Sequence, residues 1–361
     1  MRIRFPRSLH TLPALALLAF GTGAAASTLN QNASWTIDRA GTTAKYRAVA
    51  YGDSIYAGYN GSVSSAAKYA APVVNAEYLS AQWGTDVESV RRTKSGAVAS
   101  DIYNNKIVAE RSYMQAANTR VVTFEMCGND ALQARSNFKG QSGTCNYSTL
   151  AAAENSCKTH VAAAMDFINA NAYAGVKLKV VSNLHYPGYA TDTAQSTCRD
   201  AGTGATVRMQ DKFLPALARM NFAMCDLARQ KGFECADNFA QYMGADYDSN
   251  GDGRIDSDAL RYVTGESEAS YVGRLTSTLR STIRDANTHF VSSGSSYDYI
   301  QSDDTHPTYT GSTITSGLFG SSTGSGAPRY GTITGGKNPV WNQFGHERIG
   351  WAVSTYNPAT P

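Results

Sequence analysis

Short apolar runs alternate with helical stretches along this chain, and each connection is long enough for a crossover. That alternation limits the fold more than any other feature. Tyr46–Tyr51 reads as a first strand, and Ser64–Trp83 as a helix with Tyr69, Val73, Val74 and Leu79 on one face. A second short strand, Val87–Arg91, and a helix over Asp101–Ala117 follow. Arg120–Met126 is strongly β-branched and apolar, the pattern of a strand buried on both faces of a parallel sheet. After a loop rich in Ser, Gly and Asn come an alanine-rich helix, about Thr149–Asn171, a strand at Val176–Val181, a helix at Val207–Gln230 and a strand at Phe233–Asn238. The order predicts a three-layer α/β/α sandwich around a parallel sheet. Ser27–Thr43 is polar and reads as a lead-in arm.

The amino end has a separate purpose. Arg2, Arg4 and Arg7 precede an apolar run, Leu12–Phe20, and then Ala24-Ala25-Ala26. This is the pattern of a secretory signal peptide over residues 1–26, cleaved before Ser27. The apolar run is well short of the roughly 20 residues a membrane span needs, and every other long segment is too polar to cross a bilayer. The expected product is a secreted single domain, residues 27–361, in an extracellular or periplasmic space. Of 32 basic and 29 acidic residues, the peptide removes three arginines and no acid, which leaves 29 of each sign. A neutral chain without a basic footprint argues against a nucleic-acid partner. Six cysteines remain, an even number that suggests three disulfides in an exported protein. Fifteen pairings are possible. Short loops favour Cys145–Cys157 and Cys225–Cys235, which would leave Cys127–Cys198.

In parallel α/β sheets, ligands sit outside the carboxyl ends of the strands. Three candidate residues fall there on consecutive strands: Ser54 in Gly52-Asp53-Ser54, Gly96 in Ser95-Gly96-Ala97, and Asn129 in Gly128-Asn129-Asp130. A serine hydroxyl is a weak nucleophile until a base takes its proton and donors receive the oxyanion. His306 is the best-placed base, because Asp303 three residues earlier can orient one ring nitrogen while the other faces the serine. His160 and His289 lie in helical stretches and read as packing or surface residues. His185, after the fourth strand, could wall a pocket. Asp53 and Asp130 read as turn-fixing carboxylates.

Together, Gly52-Asp53-Ser54, Gly96, Gly128-Asn129-Asp130 and Asp303-x-x-His306 resemble the motifs of the SGNH (GDSL) hydrolases in order and spacing, from about Arg47 to Ala352. The resemblance implies a flavodoxin-like sheet and ester hydrolysis through an acyl-enzyme. It implies Ser54 as nucleophile, His306 as general base and then acid, and Asp303 as its orienter. The oxyanion hole it implies is the N–H of Ser54, the N–H of Gly96 and the side-chain amide of Asn129. One departure stands out. More than thirty residues separate His306-Pro307 from Gly345-His346, where family members run on directly. Residues 309–342 therefore read as an insertion, either a wall of the pocket or a disordered surface loop. Gly345–Val353 reads as the displaced final helix, with His346 as a structural residue at its start. Gly320-Ser321-Ser322-Thr323-Gly324 matches G-x-S-x-G but lacks the strand before it and the helix after it.

Residues 248–259 resemble an EF-hand loop. Asp248, Asn250 and Asp252 hold positions one, three and five, Gly253 six, Arg254 the backbone-carbonyl position seven, and Asp256 nine. Ala259 replaces the usual bidentate acid at twelve, so another residue would have to complete the shell. The expectation is a structural Ca²⁺ of modest affinity, with no organic cofactor. The expected activity is carboxylic-ester hydrolysis on lipid or simple acyl esters. A carbohydrate acetylesterase is the alternative, and a non-catalytic calcium-dependent binding protein the outside one.

Overall fold

The computed structural model describes residues 31–39, 42, 45–59, 67, 69–188, 191–243, 260–281, 300–301, 303, 305–307 and 345–361. The strands, in chain order, are β1 (Ala33–Ile37), β2 (Lys45–Gly52), β3 (Asp86–Thr93), β4 (Thr119–Glu125), β5 (Gly143–Thr144), β6 (Leu178–Ser182), β7 (Gln195–Arg199), β8 (Thr206–Arg208) and β9 (Glu234–Ala236). The helices are α1 (Ser54–Ala57), α2 (Ala71–Trp83), α3 (Ala99–Asp101), α4 (Ser112–Gln115), α5 (Gly128–Lys139), α6 (Ser148–Asn171), α7 (Met209–Lys231), α8 (Asn238–Met243), α9 (Glu268–Ser281) and α10 (Gly345–Ser354).

Six strands form one sheet in the order β1-β3-β2-β4-β6-β9. From β3 to β9 every pairing is parallel. Within this run the first strand in sequence lies between the second and third, the flavodoxin-like order, which reverses direction between β2 and β4. Side chains alternate between the two faces, as the strand period requires. Val49, Tyr51, Val122, Phe124 and Val181 enter a large core with residues of α5, α6, α7 and α9. Ala48, Val121 and Val180 enter a smaller one with Ala76 and Leu79 of α2 and Ala352 and Val353 of α10. The result is the expected three-layer sandwich.

Three local expectations need correction. The lead-in arm contains β1, which pairs antiparallel with β3 at the sheet edge, so the whole sheet is mixed. Trp35 of this strand carries the Arg91 guanidinium 4.1 Å above its ring, an aromatic anchor that the polar composition around it conceals. The segment read as a loop after Asp130 is α5, whose Ala131, Ala134 and Phe138 are buried at helical spacing among polar neighbours. The helix expected over Asp101–Ala117 is interrupted. A π-helical turn over Ile102–Val108 turns Ile102, Lys106 and Ile107 inward together, and α4 follows separately.

The disulfides are Cys127–Cys157, Cys145–Cys198 and Cys225–Cys235. Only the last agrees with the pairing that loop length favoured. Register explains the exchange: β5 and β7 pair at Gly143↔Cys198, and the Cys145 N–H donates to the Arg199 carbonyl at 2.8 Å. Cys145 is thus delivered to Cys198. Cys157, on the buried face of α6, meets Cys127 at the β4–α5 junction with Cα atoms 5.3 Å apart. That bond closes a 30-residue loop and contributes about 3–4 kcal/mol on a chain-entropy estimate. No helix among the described residues is long and apolar enough to cross a membrane.

Candidate active site

Sheet order places the candidate residues. Because β2 lies between β3 and β4, its end is flanked by the turn holding Gly96 and by the start of α5 holding Asn129. Gly96 has φ +76°, a left-handed conformation that glycine adopts without strain. On the other side, Cys127 has φ +80°, unlike any other non-glycine residue described. The cost of that conformation is held against the disulfide and the buried helix start that follow it.

Ser54 begins α1 directly after β2. Asp53 caps this short helix, its Oδ1 accepting the Ile55 N–H at 2.9 Å. The other oxygen, Oδ2, accepts from Asn129 Nδ2 at 2.9 Å. Asp130 has a similar fixing role: its two oxygens accept from the Ala99 N–H at 2.7 Å and the Ser156 hydroxyl at 2.8 Å. The two carboxylates thus tie the Ser54, Gly96 and Asn129 segments to one another.

His306 comes from 252 residues downstream to lie with Nε2 2.9 Å from Ser54 Oγ. Its Nδ1 is 2.5 Å from Asp303 Oδ2, while Asp303 Oδ1 accepts the Thr305 and His306 N–H groups at 3.1 and 2.9 Å. A carboxylate facing Nδ1 selects the tautomer with the proton there, which leaves Nε2 to accept the Ser54 Oγ–H. Partial burial pushes the Asp303 carboxyl up. The hydrogen bond and charge of His306, with the two backbone donors, more than offset this and hold it below the usual range. The arrangement can activate a hydroxyl for acyl transfer.

The histidine loop is pinned on both sides. Gln301 Nε2 donates to the carbonyls of Tyr59 and Pro307, and the Tyr59 ring lies 4.3 Å from the His306 ring, centre to centre. Opposite, His185 Nε2 lies 2.7 Å from the Thr305 carbonyl and donates to it. Burial lowers the His185 pKa to about 4, so the imidazole remains neutral at ordinary pH. His185 also walls a cleft beside Ser54, together with Ile55, Ala131, Leu132, Leu184, Pro187 and Leu217.

Among the described residues, the Ser54 and Gly96 N–H groups make no hydrogen bond. Asn129 differs: its Nδ2 also donates to the Ala97 carbonyl at 3.0 Å, so both amide hydrogens are engaged. His346 is wholly buried at the start of α10, and burial lowers its pKa to about 3. His160 lies on α6 with Nδ1 2.8 Å from the Ser156 carbonyl. The metal-ligand candidates Asp248, Asn250, Asp252, Arg254 and Asp256 lie outside the described residues, as do the 309–342 insertion, residues 1–26 and His289.

Sequence reasoning passed over Gln301, Tyr59 and Glu125. Glu125 had a signal: it is the one acid in the apolar run Arg120–Met126, yet it is 1% exposed.

No family model matches this chain, and no curated protein does. Among solved structures, the chain is similar to a lipase from goat rumen metagenome at 15% identity and a TM-score of 0.41, covering 66% of this chain and 98% of that one. It is similar to an extracellular lipase from Streptomyces rimosus at 18% and 0.40, covering 64% and 99%. A phospholipase A1 from Streptomyces albidoflavus aligns at 18% and 0.39, covering 67% and 100%.

Proposed function

We propose that this chain is a secreted serine carboxylic-ester hydrolase of the SGNH type. The observation that carries the proposal is the continuous Asp303–His306–Ser54 relay, with Nε2 2.9 Å from Oγ. In the acyl step Ser54 Oγ attacks the ester carbonyl as its proton passes to His306 Nε2. The imidazolium then gives that proton to the leaving alcohol, and water repeats the sequence on the acyl-enzyme. The Ser54 and Gly96 N–H groups would receive the oxyanion, and the Asn129 amide would join them by giving up the Ala97 carbonyl. Secretion is supported by the amino-terminal pattern and by the pairing of all six cysteines.

The cleft beside Ser54 favours an apolar acyl group, which puts lipid or simple acyl esters ahead of acetylated polysaccharide. A buried methylene contributes about 0.8 kcal/mol, so each one that the acyl chain buries beside Ser54 should raise kcat/KM by roughly fourfold. Hydrolysis of a p-nitrophenyl ester series from acetyl to octanoyl should show that rise. A preference for acetyl would reverse the order and favour the carbohydrate acetylesterase. The 248–259 loop is proposed, on its sequence, as a structural Ca²⁺ site. Chelation should lower the melting temperature by several degrees, and Ca²⁺ should restore it. No bound metal and no thermal shift would remove the site.

A further inference from the structure

Glu125 ends β4, the strand beside Ser54, and the acyl-transfer scheme above leaves it without a role. Its Oε2 accepts the Asp53 N–H at 3.2 Å, while its Oε1 is buried without a hydrogen-bond partner. Asp53 is equally buried, at 1% exposure, but both of its oxygens have donors: the Ile55 N–H and Asn129 Nδ2. The carboxyls converge beside Gly128, where a Cβ would lie 2.9 Å from Asp53 Oδ2 and 3.6 Å from Glu125 Oε1. Gly52 leaves room on the other side, since a Cβ there would lie 2.9 Å from Glu125 Oε2 and 2.8 Å from the Tyr56 Cβ. Two glycines thus make space for a pair of acids under the nucleophile turn.

Two buried carboxyls this close do not both ionise, so one proton stays with the pair. Burial raises both, and the Asp53 charge raises Glu125 further. Hydrogen bonding decides the holder. Asp53, with a donor on each oxygen, is stabilised as the anion; Glu125, with one bare oxygen, is the better acid to stay neutral. The other groups acting on the pair by charge are His306 and Asp130 on Asp53. Glu125 acts in the same way on the Tyr56 phenol.

We infer that Glu125 is a positioning residue. As a neutral acid it holds the Asp53 backbone and leaves Asp53 as the one anion, which fixes the Ser54 turn and the Asn129 amide for acyl transfer. Glu125 also borders the cleft beside Ser54, and its effect on the reaction runs through Asp53, Ser54 and Asn129. The kinetic arm of the test rests on the esterase reading; the spectroscopic arm does not.

Glu125→Gln keeps a neutral group able to accept the Asp53 N–H, and it should hold kcat within about threefold of the native enzyme. Glu125→Leu removes the acceptor and should lower kcat by about 100-fold with little change in KM, the scale expected for a misplaced reacting group. Infrared difference spectra at neutral pH should show a buried carboxylic-acid C=O band in the native protein that Glu125→Gln lacks. Overturning results are a Gln variant as impaired as the Leu variant, a Leu variant as active as the native enzyme, or no acid band lost. If Glu125→Leu does not fold, the Gln variant and the spectra still decide. If the native enzyme hydrolyses no ester, the esterase reading fails while the band still tests the proton that the Asp53–Glu125 pair retains.

Discussion

Replacing Ser54 with alanine is expected to abolish ester hydrolysis, with a fall in kcat on the order of 10⁶-fold, the scale seen when a serine nucleophile is removed. The hydroxyl is the one group on α1 that faces His306 Nε2. The helix itself is held by the Asp53 cap and by Gly58, whose N–H reaches back to the Ile55 carbonyl at 3.2 Å. Those contacts survive the substitution, so the variant should fold and melt near the native temperature. A serine-directed fluorophosphonate should label the native chain on Ser54 and leave the variant unlabelled. Labelling of the variant would place the nucleophile elsewhere. A native chain that takes no label and hydrolyses no ester would favour the non-catalytic binding protein.

The second large effect should come from Asp303→Asn, a fall in kcat on the order of 10⁴-fold with KM changed little. The asparagine retains Oδ1, so the Thr305 and His306 N–H groups keep their acceptor and the turn should persist. What changes is the group facing Nδ1, from a carboxylate oxygen to an NH₂. An NH₂ at that point favours the other tautomer, with the proton on Nε2 facing Ser54 Oγ. The base then has no lone pair where the hydroxyl proton must go. Steady-state kinetics of the purified variant would test this. A variant with more than a tenth of native kcat would mean that Asp303 shapes the loop without setting the tautomer.

Some of this was legible in the sequence because it depends on short-range pattern. Arg120–Met126 has the composition of a buried parallel strand, and it is one. Asp303 and His306 lie three residues apart on one loop, so their contact is nearly local. Ser54, Gly96 and Asn129 all follow strand runs, and a parallel sheet places such positions on one edge. Where local pattern was weak, the reading failed. β1 carries its apolar residues singly, at Ala33, Trp35 and Ile37, within a polar stretch. α5 has just three small or aromatic residues on its buried face, too few to stand out from Ser, Asn and Gln neighbours.

The sequence by itself determined the alternation of strands and helices and the Asp303-x-x-His306 loop, which follow from residue type and spacing over a few positions. It singled out Ser54 as their partner by the order of the motifs along the chain. The tertiary structure alone decided that β2 lies between β3 and β4, that Cys127 meets Cys157 rather than Cys198, and that Asp53 and Glu125 face each other beneath Ser54. The reason is physical: these contacts join segments tens of residues apart. Strand order, register and helix packing bring them together, and no local periodicity records those.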